Sequence, residues 1–137
     1  QDLPLRALVK FMKRLFFAVV LPLIFMSCGK FEEVHFPSYP QTVTFSAEGG
    51  EKVISGVEQF THAEIHNYDN GDNGVSSRNG DIEVNEYEWL TVEYVKEDVY
   101  ACEVKIIVEP NTTGERRGLW IELVRGYEYH VIYVEQN

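Results

Sequence analysis

Three side chains with metal-binding chemistry stand in the run His62 to His66, which reads HAEIH. On a β-strand, side chains two residues apart point the same way, so His62, Glu64 and His66 would share one face. Two imidazoles and one carboxylate can bind zinc and leave a coordination position open. Same-side neighbours on a strand lie about 7 Å apart, however, and a solvent-facing polar stripe has the same pattern. We favour the polar stripe, and we predict neither a metal nor another cofactor.

A second group of oxygen donors lies in the run Asp69 to Gly74, which reads DNGDNG. The run lacks the Asp-x-Asp-x-Asp-Gly spacing of a calcium loop, and Gly80 stands where such a loop has its last glutamate. Aspartate, asparagine and glycine are also common turn residues. The sequence from Asp69 to Asp81 therefore predicts a polar, turn-rich loop.

The sequence contains none of the common catalytic motifs. It has no Gly-x-Ser-x-Gly elbow, no phosphate-binding loop and no Cys-His constellation. Carboxylates are numerous, so two of them at the separation of a glycosidase pair would arise by chance. We therefore predict that the protein is not an enzyme.

Aromatic side chains are the other candidates, because a ring on the protein surface can stack on the C–H face of a sugar. The candidate sugar-binding residues are Trp120, Tyr127, Tyr129, Tyr87 and Tyr68. Tyrosine is also common on strands because of its β propensity, so any one of these residues fits an ordinary sheet position. Only a cluster of them would indicate a binding site.

The elements that must position these side chains are β-strands. Alternating residues predict a strand near Thr42 to Ser46, which turns at Gly49-Gly50, and extended runs over residues 52–57 and 60–68. Further β-rich runs cover residues 88–95, 100–109, 119–124 and 129–135. This spacing predicts an all-β fold, an immunoglobulin-like antiparallel β-sandwich.

Alternation along these runs also predicts which side chains are buried. Leu119, Ile121 and Leu123 should face the core, which leaves Trp120 on the outside. Trp89 is a predicted core residue because of the large apolar area of its ring. Cys102 lies on the apolar side of its run and is predicted to be a buried, unpaired thiol.

The first part of the chain has the layout of a secretory signal. Arg6, Lys10, Lys13 and Arg14 precede an apolar block of twelve residues, Leu15 to Met26. Twelve residues are too few to span a bilayer, which needs about 20. We predict a signal peptide over residues 1–27, with Met12 as the natural start.

The residues Phe25-Met26-Ser27-Cys28 resemble the lipobox of bacterial lipoproteins. The resemblance implies cleavage before Cys28 and acylation of both its thiol and its amino group, which would anchor the protein in a membrane. An ordinary signal peptide with an incidental cysteine is the alternative. If Cys28 is lipidated, residues 28–40 would form a lipidated tether. Within it, Gly29 to Glu33 loosely resemble an acidic tag for export to the outer face of the outer membrane.

The expected mature chain is one small acidic domain. The sequence has 22 acidic and 12 basic residues, of which one acidic and four basic residues precede Cys28. The remaining 21 acidic and 8 basic residues give a net charge of −13. A surface this negative repels phosphate backbones, so we predict that nucleic acid is not a partner.

Five groups of residues follow one another in a characteristic order. They are Thr44-Phe45 with Gly49-Gly50, Glu88-Trp89-Leu90, Val104 to Val108 with Pro110-Asn111, Gly114 to Gly118, and Val131 to Gln136. Together they resemble the BACON domain, named for Bacteroidetes-associated carbohydrate-binding often N-terminal. The resemblance covers residues 42–137 of a domain predicted over residues 41–137. It implies an immunoglobulin-like sandwich, exported by gut Bacteroidetes, that is proposed to bind carbohydrate or mucin.

Some residues in these groups have a plain structural interpretation. Asn111 and Gly114 fit turn positions, and Arg116 or Arg117 could pair with acidic residues on a neighbouring strand.

Two functions follow from the sequence. The first is a cell-envelope lipoprotein, lipid-anchored at the cell surface, whose non-catalytic module binds a glycan or mucin. The alternative is a structural or assembly lipoprotein that binds another envelope protein and no sugar. Clustered surface aromatics would favour the first, and an open, flat edge strand would favour the second.

Overall fold

The computed structural model of the chain describes residues 36–137. The predicted signal peptide, the lipidation of Cys28 and the tether up to residue 35 lie outside the described residues. Within residues 36–137 no helix is long and apolar enough to cross a membrane.

The described residues form ten strands in two sheets that pack face to face. The strands are β1 Thr42–Phe45, β2 Gly50–Phe60, β3 His62–Asn67, β4 Asp72–Asn73, β5 Val75–Asn79, β6 Ile82–Tyr87, β7 Leu90–Val95, β8 Ala101–Val108, β9 Arg117–Arg125 and β10 Glu128–Gln136. The first sheet has the order β1-β10-β9-β3-β4, and the second has the order β2-β8-β7-β6-β5. The predicted all-β sandwich is confirmed, and its central strands follow the immunoglobulin order.

One strand pair departs from the predicted antiparallel arrangement. β1 runs parallel to β10, with Thr42 beside Tyr133 and Phe45 beside Gln136. These strands come from opposite ends of the described chain, so no hairpin forces them to run antiparallel.

The core lies between the sheets and includes residues ahead of the predicted domain boundary at residue 41. Phe36 and Tyr39 are both buried in it. The Tyr39 hydroxyl donates a hydrogen bond to the Glu58 carbonyl at 2.6 Å. The folded domain therefore extends at least to Phe36.

The prediction of a loop from Asp69 to Asp81 is wrong, because this segment contains the strands β4 and β5. All five residues of β5 are exposed, so its sequence has no alternation of apolar and polar residues. The neighbouring β6 was missed because Asn85, a polar residue, takes an inward position on it. The Asn85 side chain accepts a hydrogen bond from the Ile65 amide and donates one to Ser76.

The strand predicted to begin at Glu88 begins at Leu90 instead. Tyr87 pairs with Leu90, which makes Glu88-Trp89 a two-residue turn. Glu88 has a φ of 50°, a turn conformation rather than a strand one.

The predicted burial of Cys102 is wrong, since its side chain is exposed. The register between β2 and β8 shifts between Ser55 and Phe60, and Ala101 takes the inward position opposite Phe60. This irregularity turns Cys102 outward.

One end of the sandwich is closed by Trp89, Asn111, Arg117 and Gln136, which we call the closed end. Gln136 is completely buried; its amide nitrogen donates to the carbonyls of Ser46 and Glu109, and its oxygen accepts from Arg117 Nε at 2.9 Å. The Arg117 guanidinium lies 4.5 Å from the ring centroid of Trp89. Trp89 is only 7% exposed, so its predicted core position is confirmed.

The turn after β8 has Asn111 and Gly114 at turn positions, as predicted. Asn111 donates to the Glu115 carbonyl at 2.7 Å and accepts from the Thr113 amide, and Gly114 has a φ of 76°. Arg116 pairs with Glu135 on β10 at 2.9 Å.

Candidate functional site

The outward face of the first sheet is built from three central strands. Alternation places Leu119, Ile121 and Leu123 of β9 in the core and leaves Trp120 and Glu122 outside. The register then sets two rows of outward side chains across β3, β9 and β10. One row is His66, Trp120 and Tyr133, and the next is Glu64, Glu122 and Val131.

Four rings form a continuous cluster on this face. His66 stacks on Tyr68 with 5.5 Å between ring centroids, Tyr68 lies 5.1 Å from Trp120, and Trp120 lies 5.2 Å from Tyr133. The carboxylates of Glu64 and Glu122 lie beside them. We call these six residues the aromatic face.

Gly118 makes room for one of these rings. A Cβ added at Gly118 would lie 2.0 Å from the Tyr133 hydroxyl oxygen and 2.4 Å from Cζ of the same ring. The Tyr133 ring therefore rests against the backbone of β9, where any other residue would displace it.

Hydrogen bonds hold the polar edge of the cluster. Glu122 Oε2 accepts from the Tyr68 hydroxyl at 2.8 Å and lies 3.0 Å from His66 Nε2. Glu64 Oε2 lies 3.5 Å from the same nitrogen. Within residues 36–137, Oε1 of both carboxylates makes no hydrogen bond, so each keeps an acceptor free for a ligand.

The pKa of the Tyr68 hydroxyl is raised above its usual value. Burial is the main cause, followed by the hydrogen bond to Glu122 and the proximity of Tyr129. Tyr68 therefore stays a neutral hydrogen-bond donor at physiological pH.

The structure does not gather the weak metal candidates into a site. His62, Glu64 and His66 lie on the outward face of β3, but His62 contacts Thr61 at 3.3 Å while His66 lies between the two carboxylates. Across the described part of the chain no three His, Cys, Asp or Glu side chains are placed to bind a metal ion.

Three of the five predicted sugar-binding residues lie together, and the other two lie apart from them and from each other. Trp120, Tyr68 and the half-exposed Tyr129 lie on the aromatic side of the first sheet. Tyr127 projects from the tip of the β9–β10 hairpin and is completely exposed. Tyr87 belongs to the second sheet, and its hydroxyl bonds to Asp72 and Asn67 and so fixes the turn after β3.

Sequence reasoning missed Tyr133 and Gly118 as parts of this face. Tyr129 and Tyr133 alternate with buried His130 and Ile132 along β10, which would have shown that Tyr133 points outward. Its contact with Trp120 depends on the register of the hairpin, which alternation does not reveal.

The outward face of the second sheet has a different composition. Its two central rows contain aliphatic, polar and charged side chains and no aromatic residue. The rows are Val53, Lys105, Glu93 and Val84, and Glu51, Ile107, Thr91 and Glu86. Among these central rows, aromatic residues therefore occur only on the first sheet, where cross-strand contacts between rings also stabilise the sheet.

A groove of about 400 Å³ lies near the end of the second sheet. Cys102 and several carboxylates line it, together with Tyr94 and Tyr100. Tyr94 is buried in the core, and Tyr100 lies under the Arg125 guanidinium at 5.7 Å. The groove therefore has one exposed aromatic ring, that of Tyr100, and no cluster of rings.

No protein-family model matches the chain, and no curated protein matches it. One solved structure that is similar to it is the NMR structure of a protein from Bacteroides thetaiotaomicron. The two share 17% sequence identity over 80% of this chain and 91% of that chain, with a TM-score of 0.48. A similarity this low assigns no function.

Proposed function

We propose that the protein is a non-catalytic, cell-envelope lipoprotein that binds uncharged carbohydrate, free or carried on mucin, through its aromatic face. The observation that supports this proposal is the cluster of Tyr68, Trp120, Tyr133 and His66 beside two carboxylates on an outward sheet face. The BACON resemblance points to the same class of ligand.

The chemistry of the face suits a sugar. The rings of Tyr68, Trp120 and Tyr133 offer apolar surface to the C–H groups of a pyranose. The free oxygens of Glu64 and Glu122 can accept hydrogen bonds from its hydroxyls. A surface with much apolar area and a few oriented polar groups is typical of small-molecule sites.

The face is also partly preorganised. Trp120 lies between Tyr68 and Tyr133, and Tyr68 is held by its hydrogen bond to Glu122. Side chains that are already ordered lose less conformational entropy when a ligand binds.

The charge of the face limits which sugars it accepts. Glu64 lies directly opposite Glu122 on the neighbouring strand, and the sequence as a whole carries a net charge of −10. Placing a sialic acid, sulfate or uronic acid beside two carboxylates is unfavourable, because like charges repel. Uncharged glycans are therefore the proposed ligands.

A binding experiment tests the ligand. The purified protein is titrated with uncharged oligosaccharides, and with mucin before and after removal of sialic acid. Trp120→Ala and, as a matched control on the second sheet, Val84→Ala are measured alongside. We expect saturable binding to uncharged glycans that Trp120→Ala abolishes and Val84→Ala retains. Stronger binding to acidic glycans would contradict the charge argument.

Attachment to the membrane through Cys28 is proposed from the lipobox resemblance. Cys28→Ala should leave unprocessed precursor that no longer incorporates labelled fatty acid. If Cys28→Ala and globomycin both leave processing unchanged, the protein is not a lipoprotein.

One observation favours a second candidate, the assembly lipoprotein that binds another envelope protein. β5 is an edge strand of the second sheet, all of its residues are exposed, and it contains no proline. Such an edge can accept a strand from a partner. The Asn79–Ile82 pair closes a two-residue turn, so the amides of Asn79 and Ser77 bond to β6 and the amide of Arg78 faces the free edge. Arg78→Pro would therefore block pairing at β5 and leave sugar binding intact, so loss of partner capture in that variant alone would support this candidate.

A further inference from the structure

The polar segment from Asn70 to Gly80 contains three asparagine-glycine pairs: Asn70-Gly71, Asn73-Gly74 and Asn79-Gly80. In such a pair the glycine amide nitrogen can attack the asparagine side-chain carbonyl, because glycine has no Cβ to obstruct the approach. The amide nitrogen must first be released from any hydrogen bond that it donates. The three pairs are alike in sequence, so their contacts decide which of them reacts.

The first two pairs are held by hydrogen bonds. The Gly71 amide donates to the Asn67 carbonyl at 2.8 Å, and the Asn70 side chain is bonded to the Asp72 amide and the Tyr87 hydroxyl. The Gly74 amide donates to the Ile65 carbonyl at 2.7 Å. A Cβ at Gly74 would lie 2.0 Å from Asn85 Oδ1, so the backbone there is closely packed.

The third pair has no such contacts. Asn79 and Gly80 are exposed at the turn between β5 and β6, where Asn79 pairs with Ile82. Among the described residues, neither the Gly80 amide nor the Asn79 side chain makes a turn or side-chain hydrogen bond. An added Cβ at Gly80 would meet nothing within 4 Å.

We propose that Asn79 is a site of spontaneous deamidation in the folded protein, whereas Asn70 and Asn73 are protected. The Gly80 nitrogen forms a bond to Cγ of Asn79, and the side-chain nitrogen leaves as ammonia. Water then opens the resulting succinimide at either carbonyl and gives aspartate or isoaspartate. The net reaction consumes one water molecule and releases one ammonia, with no oxidant or reductant.

The product changes the edge of the second sheet. Either form adds a negative charge near Asp81, and isoaspartate also inserts a methylene into the backbone at Asn79, directly before the two-residue turn Gly80-Asp81. The β5–β6 hairpin should therefore loosen at this end. The aromatic face belongs to the other sheet and should be unaffected.

The test is peptide mapping by mass spectrometry after incubation of the intact protein in mildly alkaline buffer. In the folded protein, Asn79 should convert at least about fivefold faster than Asn70 or Asn73, the ratio expected if a hydrogen bond worth about 1 kcal/mol must first break. In urea the three rates should become similar. Asn79→Gln, which would need a larger ring, should remove the fast reaction and leave the other two sites unchanged.

Two results would overturn this proposal. One is conversion of Asn70 or Asn73 in the folded protein at the rate of Asn79. The other is an inert Asn79 in the folded protein under conditions where the unfolded chain converts.

Discussion

Trp89 and Trp120 lie in two regions that combine an aromatic ring with polar side chains in opposite ways. At the closed end, Trp89 is buried beneath Arg117, and Gln136 bonds to Arg117 and to backbone carbonyls. At the aromatic face, Trp120 is half-buried between two tyrosines, and the nearby carboxylates each keep a free oxygen.

The difference separates groups that stabilise the fold from groups available to a ligand. Buried polar groups whose bonds are all made within the protein contribute to stability, and their loss is costly. Partly exposed rings with unused acceptors beside them contribute less to stability, but they can form new contacts. We therefore expect substitutions at the closed end to change the free energy of unfolding and substitutions at the aromatic face to change binding.

Trp89→Ala should have the largest effect on stability. Removing a buried tryptophan costs about 3–5 kcal/mol, because apolar contacts are lost and a cavity remains. Trp120→Ala should cost less than half as much, since its ring is partly exposed. Urea denaturation of both variants measures the difference, and equal losses would contradict the distinction between the two regions.

Gln136→Ala should destabilise the protein by about 1–3 kcal/mol, because Arg117 Nε and two backbone carbonyls lose a buried partner. The matched control is Glu135→Ala, one residue earlier on β10. Glu135 forms an exposed pair with Arg116, which should be worth less than about 1 kcal/mol. If Glu135→Ala lowered the free energy of unfolding more than Gln136→Ala did, our assignment of the stabilising contacts would be wrong.

Stability should fall at alkaline pH through Tyr39. Burial, with the nearby Cys102 and Glu58, raises the pKa of Tyr39 to about 12, whereas an unfolded tyrosine titrates near 10. The unfolded chain therefore loses this proton first, so the stabilisation is complete below about pH 10 and declines toward about pH 12. Tyr39→Phe should flatten this decline, and Tyr127→Phe, at a fully exposed position, should not.

Gly118→Ala should have the smallest effect on stability and a measurable effect on binding. The added Cβ would displace the end of the Tyr133 ring, which is a movable side chain rather than backbone. We expect a severalfold weaker affinity for sugar, with the free energy of unfolding changed by less than about 1 kcal/mol. The additional substitution Tyr133→Ala should cause little further loss of affinity if Gly118 acts only through that ring.

The sequence predicts these two regions unequally. The outward position of Trp120 follows from β9, where apolar and polar residues alternate clearly. The burial of Trp89 follows from the area of its ring. The contact between Trp120 and Tyr133 depends on the two-residue turn that pairs Arg125 with Glu128, so it is a property of register and not of composition.

Errors arose where a strand lacks the usual alternation. β5 is exposed along its whole length, and β6 places Asn85 in the core, so neither strand has the expected pattern. Cys102 lies beside a register shift between β2 and β8, which moves its side chain from the inward to the outward side. In each case tertiary pairing decides the position of the side chain, and local sequence does not.

The most direct test compares the two tryptophans in one experiment, with binding of an uncharged oligosaccharide and the free energy of unfolding measured on the same samples. We predict that Trp120→Ala binds at least about thirtyfold more weakly but loses less than half of the free energy of unfolding that Trp89→Ala loses. Trp89→Phe should bind with wild-type affinity and unfold at lower urea. Wild-type affinity in Trp120→Ala, or no binding by the folded wild-type protein, would contradict the proposed role of the aromatic face.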